Sequence, residues 1–323
     1  MIISPIHLRN MMCHAAFAGM ITIGMLLIAG CGAGNGDTTI LSSGTTQSQL
    51  YVSSNGSDEL LVYGNANDVS GNTTLNRVVS GGLTALNSPR GIAVDMARNQ
   101  IYVANSSDNA ILVFNNTRTM SGNIAPVRMI AGVAMTLSGP SALSFDVFND
   151  QLYVANTADN SILVFDNVSM ASGDVPPSRT LKGVATLLNA PYGVFVDTTR
   201  NKMYVINGGL IGAGANSILV FDGAMTVSGN SSPARTISGA ATTMNSPSGG
   251  ALDVLQDRLY VANTGSSSIL IFNAISTISG NKAPDRALAG VRTALNQPRD
   301  LYLDLTGDRL YVANAGGDID LDV

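Results

Sequence analysis

The chain of 323 residues is 45% hydrophobic and only 12% charged, with 34 glycines and a formal net charge of −5. That apolar content supports a packed core and excludes a wholly disordered chain. The only lysines are Lys182, Lys202 and Lys282, and no Lys/Arg run occurs, so the basic face that a nucleic-acid partner requires is absent.

In chain order, Arg9 is the only formal positive side chain ahead of an uncharged run from Ala15 to Gly30. The run is short for a bilayer span and suits the apolar core of a secretory signal, residues 1–30. It ends in Leu27-Ile28-Ala29-Gly30-Cys31, which resembles a bacterial lipoprotein lipobox. The resemblance implies cleavage before Cys31, lipidation of its sulfur and a membrane as a partner through that lipid. Gly32, where an Asp would signal retention, implies the outer membrane by the same resemblance. Residues 31–48, rich in Gly, Ser and Thr, read as a flexible tether. His7, Cys13 and His14 fall in the removed segment, leaving a mature chain with no imidazole and no cysteine besides the lipidated one.

From residue 49 onward the sequence repeats itself. Tyr51, Tyr102, Tyr153, Tyr204, Tyr260 and Tyr311 are separated by 51, 51, 51, 56 and 51 residues, a period that marks a repeat architecture. One unit, 137–183, contains a turn with Pro140, then an apolar strand ending at Asp146, a polar turn, the strand QLYVAN, a second turn, the strand SILVFD, a longer loop with SGDVPP, and a fourth strand in SRTLKG. The Asn, Asp and Gly clusters between them supply turn chemistry. Ile162-Leu163-Val164-Phe165 is apolar on both faces, so the sheet must be covered on both sides. No unit has room for a helix of three turns. The expected fold is all-β: a propeller of four-stranded blades over 49–323, six by the tyrosine count, with an incomplete last blade as one reading. The first unit lacks a Pro-x-Gly strand and the last stops after two strands, and TTILSS at 38–43 is a candidate for a missing place in either of them.

The stretch SPRGIAVDMARNQIYVANSSDNAILVFNN at 88–116 resembles an NHL-type repeat and shades into the YVTN propeller repeats. The resemblance extends over 49–323 and implies the propeller fold. It implies little about activity, because such propellers serve unrelated functions.

Three polar series keep the repeat spacing: Asp95, Asp146, Asp197, Asp253 and Asp304; Arg77, Arg128, Arg179, Arg235 and Arg286; and Asn105, Asn156, Asn207, Asn263 and Asn314. A residue needed once per blade fixes a turn or a blade contact more readily than it makes a site. Function is expected where the repeat breaks. The residue after the repeated proline is Arg90, Ser141, Tyr192, Ser248 and Arg299 in turn, and Arg90, Tyr192 and Arg299 are the candidate ligand residues, since guanidinium forks hold carboxylate or phosphate. A five-residue insertion makes the Gly-rich loop NGGLIGAGAN at 207–216 and adds Leu210 and Ile211 as candidate partner contacts.

Histidine and thiol mechanisms are excluded by the mature inventory, and no cofactor is implied. The favoured function is a lipid-anchored, non-catalytic binding or scaffold module for a protein or a glycan. The alternative is a propeller hydrolase or lyase, lactonase-like, that uses a hard-metal carboxylate and amide site in the central channel.

Overall fold

The computed structural model describes residues 39–42, 49–66, 73–209, 212, 214–305 and 307–316. Blade 1 contains β1 (Thr39–Ser42), β2 (Gln49–Ser54), β3 (Glu59–Gly64) and β4 (Arg77–Val79). Blade 2 contains β5 (Pro89–Asp95), β6 (Gln100–Asn105), β7 (Ala110–Asn115) and β8 (Arg128–Ile130). Blade 3 follows with β9 (Pro140–Asp146), β10 (Gln151–Asn156), β11 (Ser161–Asp166) and β12 (Arg179–Lys182). Blade 4 has β13 (Pro191–Asp197), β14 (Lys202–Asn207), β15 (Ser217–Asp222) and β16 (Arg235–Ile237). Blade 5 has β17 (Pro247–Asp253), β18 (Arg258–Asn263), β19 (Ser268–Asn273) and β20 (Arg286–Leu288). Blade 6 is the two-stranded sheet of β21 (Pro298–Asp304) and β22 (Arg309–Asn314).

Each sheet is an antiparallel meander whose first strand is innermost. The inner strands β1, β5, β9, β13, β17 and β21 touch in sequence, and β21 touches β1, so the ring closes. The inner place in the first blade is taken by β1, which lies within the stretch whose composition reads as tether. The propeller therefore begins before residue 49.

Packing follows from the doubly apolar strands. Ile111, Leu112, Val113 and Phe114 are all fully buried, although successive strand residues face opposite sides. Each blade thus offers an apolar face to both neighbours, and six apolar clusters fill the six seams. The tyrosines cross those seams. Tyr51 Oη donates to Thr117 O at 3.0 Å, Tyr153 Oη to Ala224 O at 3.3 Å, and Tyr311 Oη to Ala66 O at 2.9 Å. The last of these makes the same blade-to-blade bond between blades 6 and 1 that the others make inside the ring.

The polar series are absorbed by turns and seams, as their spacing predicts. Asp95 accepts from Arg98 N at 3.0 Å and Asp197 from Arg200 N at 2.9 Å, in the turn after the inner strand. Asn105 accepts from Asn87 N at 2.7 Å and donates to Ala85 O at 2.9 Å; Asn156, Asn207, Asn263 and Asn314 repeat the pair. Arg128 Nη1 reaches into blade 3 to Val168 O and Ala171 O at 2.9 and 2.6 Å.

Two further clasps carry no obvious sequence signature. The long loop of one blade reaches back to the outer strand of the preceding one: Gly173 bridges Ile130, and Asp174 Oδ1 accepts from Ala134 N at 2.8 Å. In the other direction, Asp58, Asn109, Asn160 and Asn216 accept from the backbone N–H ahead of the next blade's proline, at 2.6, 2.7, 2.7 and 2.9 Å.

Candidate ligand site at the channel mouth

The repeated proline starts the inner strand of blades 2 to 6, and just after it the strand falls out of step with its partner. In blade 4, Pro191 pairs with Asn207 and Gly193 with Ile206, which leaves Tyr192 over. In blade 6, Pro298 pairs with Asn314 and Asp300 with Ala313, which leaves Arg299 over. Blades 2, 3 and 5 shift register at the same place. A bulge re-aims the side chain it carries. Tyr192 and Arg299 therefore leave the inward–outward alternation of the strand, and Arg90 lies within the corresponding shift of blade 2.

The three large residues belong to blades 2, 4 and 6, and the blades between them carry serine. Ser248 Oγ donates to Arg299 O at 2.7 Å, and Ser141 Oγ approaches Pro191 O and Tyr192 O at 3.3 and 3.4 Å. Thr157 and Thr264, in the same two serine blades, donate to Pro191 O and Pro298 O, each at 2.6 Å. Blade 1 does the equivalent with Ser53, whose hydroxyl donates to Arg90 O at 2.5 Å. Each large side chain thus rises from a backbone held by a hydroxyl of the preceding blade. The residue following the repeated Asn varies in step: Thr157 and Thr264 in the serine blades, Ser106, Gly208 and Ala315 in the others. At Gly208 a Cβ would strike the Tyr192 ring and Pro247 O, so the small residue makes room for the aromatic one.

Between blades 4 and 6 this arrangement encloses a cavity of about 520 Å³, within the usual range of small-ligand sites. Tyr192 and Gly208 form one side, Arg299, Gln297 and Asn296 the other. Ser248 and Thr264 lie between them, with Ser246, Pro247, Gly265 and Ser267 completing the walls. Arg90 is not among those walls, but it is electrically coupled to two of them. Burial holds the Arg90 guanidinium below the usual arginine range, Tyr192 opposes that shift and the like charge of Arg299 adds to it. Arg299 is half-buried, and its Nε is fully buried with no hydrogen-bond partner among the described residues.

Of the residues expected from the sequence, Tyr192 and Arg299 share this cavity, and Arg90 faces them within the ring. Leu210, Ile211 and Cys31 lie outside the described residues, although Gly208, at the start of the inserted loop, reaches the cavity wall. Ser141, Ser248, Thr157 and Thr264 were not expected. Their signal was the alternation of large and small residues from blade to blade, which emerges only when two repeat positions are compared together. Among the described residues, no three His, Cys, Asp or Glu side chains gather as metal ligands would.

Residues 86–114, which span β5 to β7 of blade 2, match the family model of the NHL repeat. No curated protein matches the chain. Among solved structures, the chain is similar to one in a crystal structure of a nidogen/laminin complex: 15% identity, 86% of this chain and 84% of that one covered, TM-score 0.53. That likeness carries the fold. Together with the repeat match it supports an NHL-type propeller.

Proposed function

We propose that the chain is a non-catalytic binding module of the cell envelope, held by a lipid on Cys31 and presenting the mouth of its ring to a protein or a glycan. The observation that carries this reading is the division of labour among the repeated residues. The Asp and Asn series are consumed by turns, and several of the arginines by seams, while the bulged positions at the mouth carry different side chains around one cavity. The similar chain from the nidogen/laminin structure is an instance of this fold within a protein assembly, which favours recognition over chemistry.

The test compares two faces in intact cells. A photo-crosslinking residue at Gln297, on the exposed rim of the cavity, is expected to give adducts. One at Leu255, exposed in the turn at the opposite end of blade 5, is expected to give none. Adducts from Leu255 alone, or from neither position, would overturn the reading. The anchor is tested separately with Cys31→Ala, which is expected to abolish lipid labelling; a labelled, membrane-bound variant of processed size would show the anchor to be wrong. Fractionation is expected to place the wild type in the outer membrane, and recovery from the inner membrane alone would contradict that address.

A further inference from the structure

The cavity walls select among ligands more narrowly than "protein or glycan". Among the described residues no wall is acidic, in a chain whose net charge is −5, and one of them is an arginine. Apart from Pro247 the described walls carry no aliphatic side chain, so they give a peptide's apolar residue little surface to bury against. What they offer is hydroxyl and amide groups, one aromatic ring and one guanidinium. Ser248 and Thr264 already donate to blade 6 carbonyls and thus shape the floor. Among the remaining described walls, Tyr192 supplies the ring, Arg299 the guanidinium and Gln297 an exposed amide, beside the polar Ser246, Ser267 and Asn296.

We propose that this cavity takes an acidic sugar unit, the Arg299 guanidinium holding its carboxylate and the Tyr192 ring lying against the apolar face of the pyranose. The inference rests on the reading of the mouth as the binding face and specifies the ligand there. A guanidinium fork matches a carboxylate in two parallel hydrogen bonds, and the buried Arg299 Nε is a donor still to be satisfied among the described residues. An aromatic side chain supplies an apolar face with a polar tip, which suits a ligand that is apolar on its ring face and polar at its edge. Gly208, without a Cβ, leaves the ring the space it occupies at the cavity wall. Arg90, coupled to both residues, adds positive potential felt at them, which favours an anion there.

The test is calorimetric titration of the purified full chain with digalacturonate, with the neutral digalactose and with inorganic phosphate. The acidic sugar is expected to bind, and neither of the others to bind comparably. Arg299→Gln is expected to weaken binding by about tenfold or more, the worth of a charged hydrogen bond. Arg299→Lys, which keeps the charge but loses the fork, is expected to fall in between. Arg292→Gln, exposed in the turn between β20 and β21, is expected to change nothing, and unaltered thermal midpoints establish that the variants fold. No binding of digalacturonate by the wild type, equal binding by Arg299→Gln, or phosphate binding as tightly would each overturn the proposal. If Gln297 crosslinks in cells while digalacturonate fails, the sugar assignment falls and the binding face stands.

Discussion

Tyr153 and Tyr204 occupy the same place in consecutive blades, yet their hydroxyls meet different surroundings. Tyr153 Oη donates to Ala224 O and Gln151 Oε1, and Arg179 donates to it in turn. In blade 4 the position of Gln151 is taken by Lys202, which turns to Asp222 instead. The fully buried Tyr204 hydroxyl is left with no hydrogen-bond partner among the described residues. A buried hydroxyl without a partner costs stability that its deletion restores, whereas deletion of a satisfied one loses a bond. Tyr204→Phe is therefore expected to be neutral or stabilising, and Tyr153→Phe to cost about 1 kcal/mol, measured by urea denaturation of both variants. The reverse order would show that the two hydroxyls are not distinguished as the geometry implies. The sequence already held this contrast, since Lys202 breaks the run of Gln49, Gln100 and Gln151. What it did not contain was the depth at which the hydroxyl is buried, because that depends on the neighbouring blade.

At the scale of the blade, strand positions were legible and strand connections were not. In the unit 137–183 the four expected strands agree with β9 to β12 closely, because doubly apolar runs between Asn, Asp and Gly turns leave little freedom in placing them. The bulge after each proline was not legible, since one extra residue alters no pattern of hydrophobicity. The clasps were hidden for another reason: Asn109 looks like an ordinary turn residue. It holds φ at 52° and at the same time accepts from Gly139 N at 2.7 Å in the next blade. Asparagine tolerates this left-handed conformation, which strains alanine by roughly 1–2 kcal/mol. Asn109→Ala is therefore expected to destabilise by about 2–3 kcal/mol, from strain and the lost acceptor together. Asn109→Gly, free of the strain, is expected to cost less than about 1 kcal/mol. Equal costs in a denaturant titration would mean that the dihedral is not what asparagine provides there.

Over the whole ring, stability is uneven. Among the described residues, the seams of blade 6 hold four and five buried apolar residues, against twelve to sixteen in the other seams. Sparse apolar packing lowers the free energy of local opening, so amides of β21 and β22 are expected to exchange with deuterium before those of β9 to β15. Uniform protection around the ring would contradict that gradient. β1 departs from the repeat for a plain reason: Thr39–Ser42, within the TTILSS stretch that is a candidate for a missing place, pairs with β2 but carries neither the proline nor the aspartate that mark the other inner strands. The ring as a unit should fail in alkali, and the tyrosines supply the reason. Tyr51, Tyr102, Tyr153, Tyr204 and Tyr311 all have their ionisation raised above the ordinary value of 10.0, in each case chiefly by burial. A phenol whose folded-state pKa is raised keeps its full contribution below the unfolded value and loses it as the pH climbs through the folded one. Above pH 10 the unfolded chain releases protons that the folded chain retains, so stability falls there and not in the neutral range. Absorbance of the phenolates and circular dichroism, followed together from pH 9 upward, are expected to show the buried tyrosines ionising only as the sheets unfold. Ionisation of all the tyrosines near pH 10 with the sheets intact would mean that the seams admit water, and the closed ring would have to be redrawn.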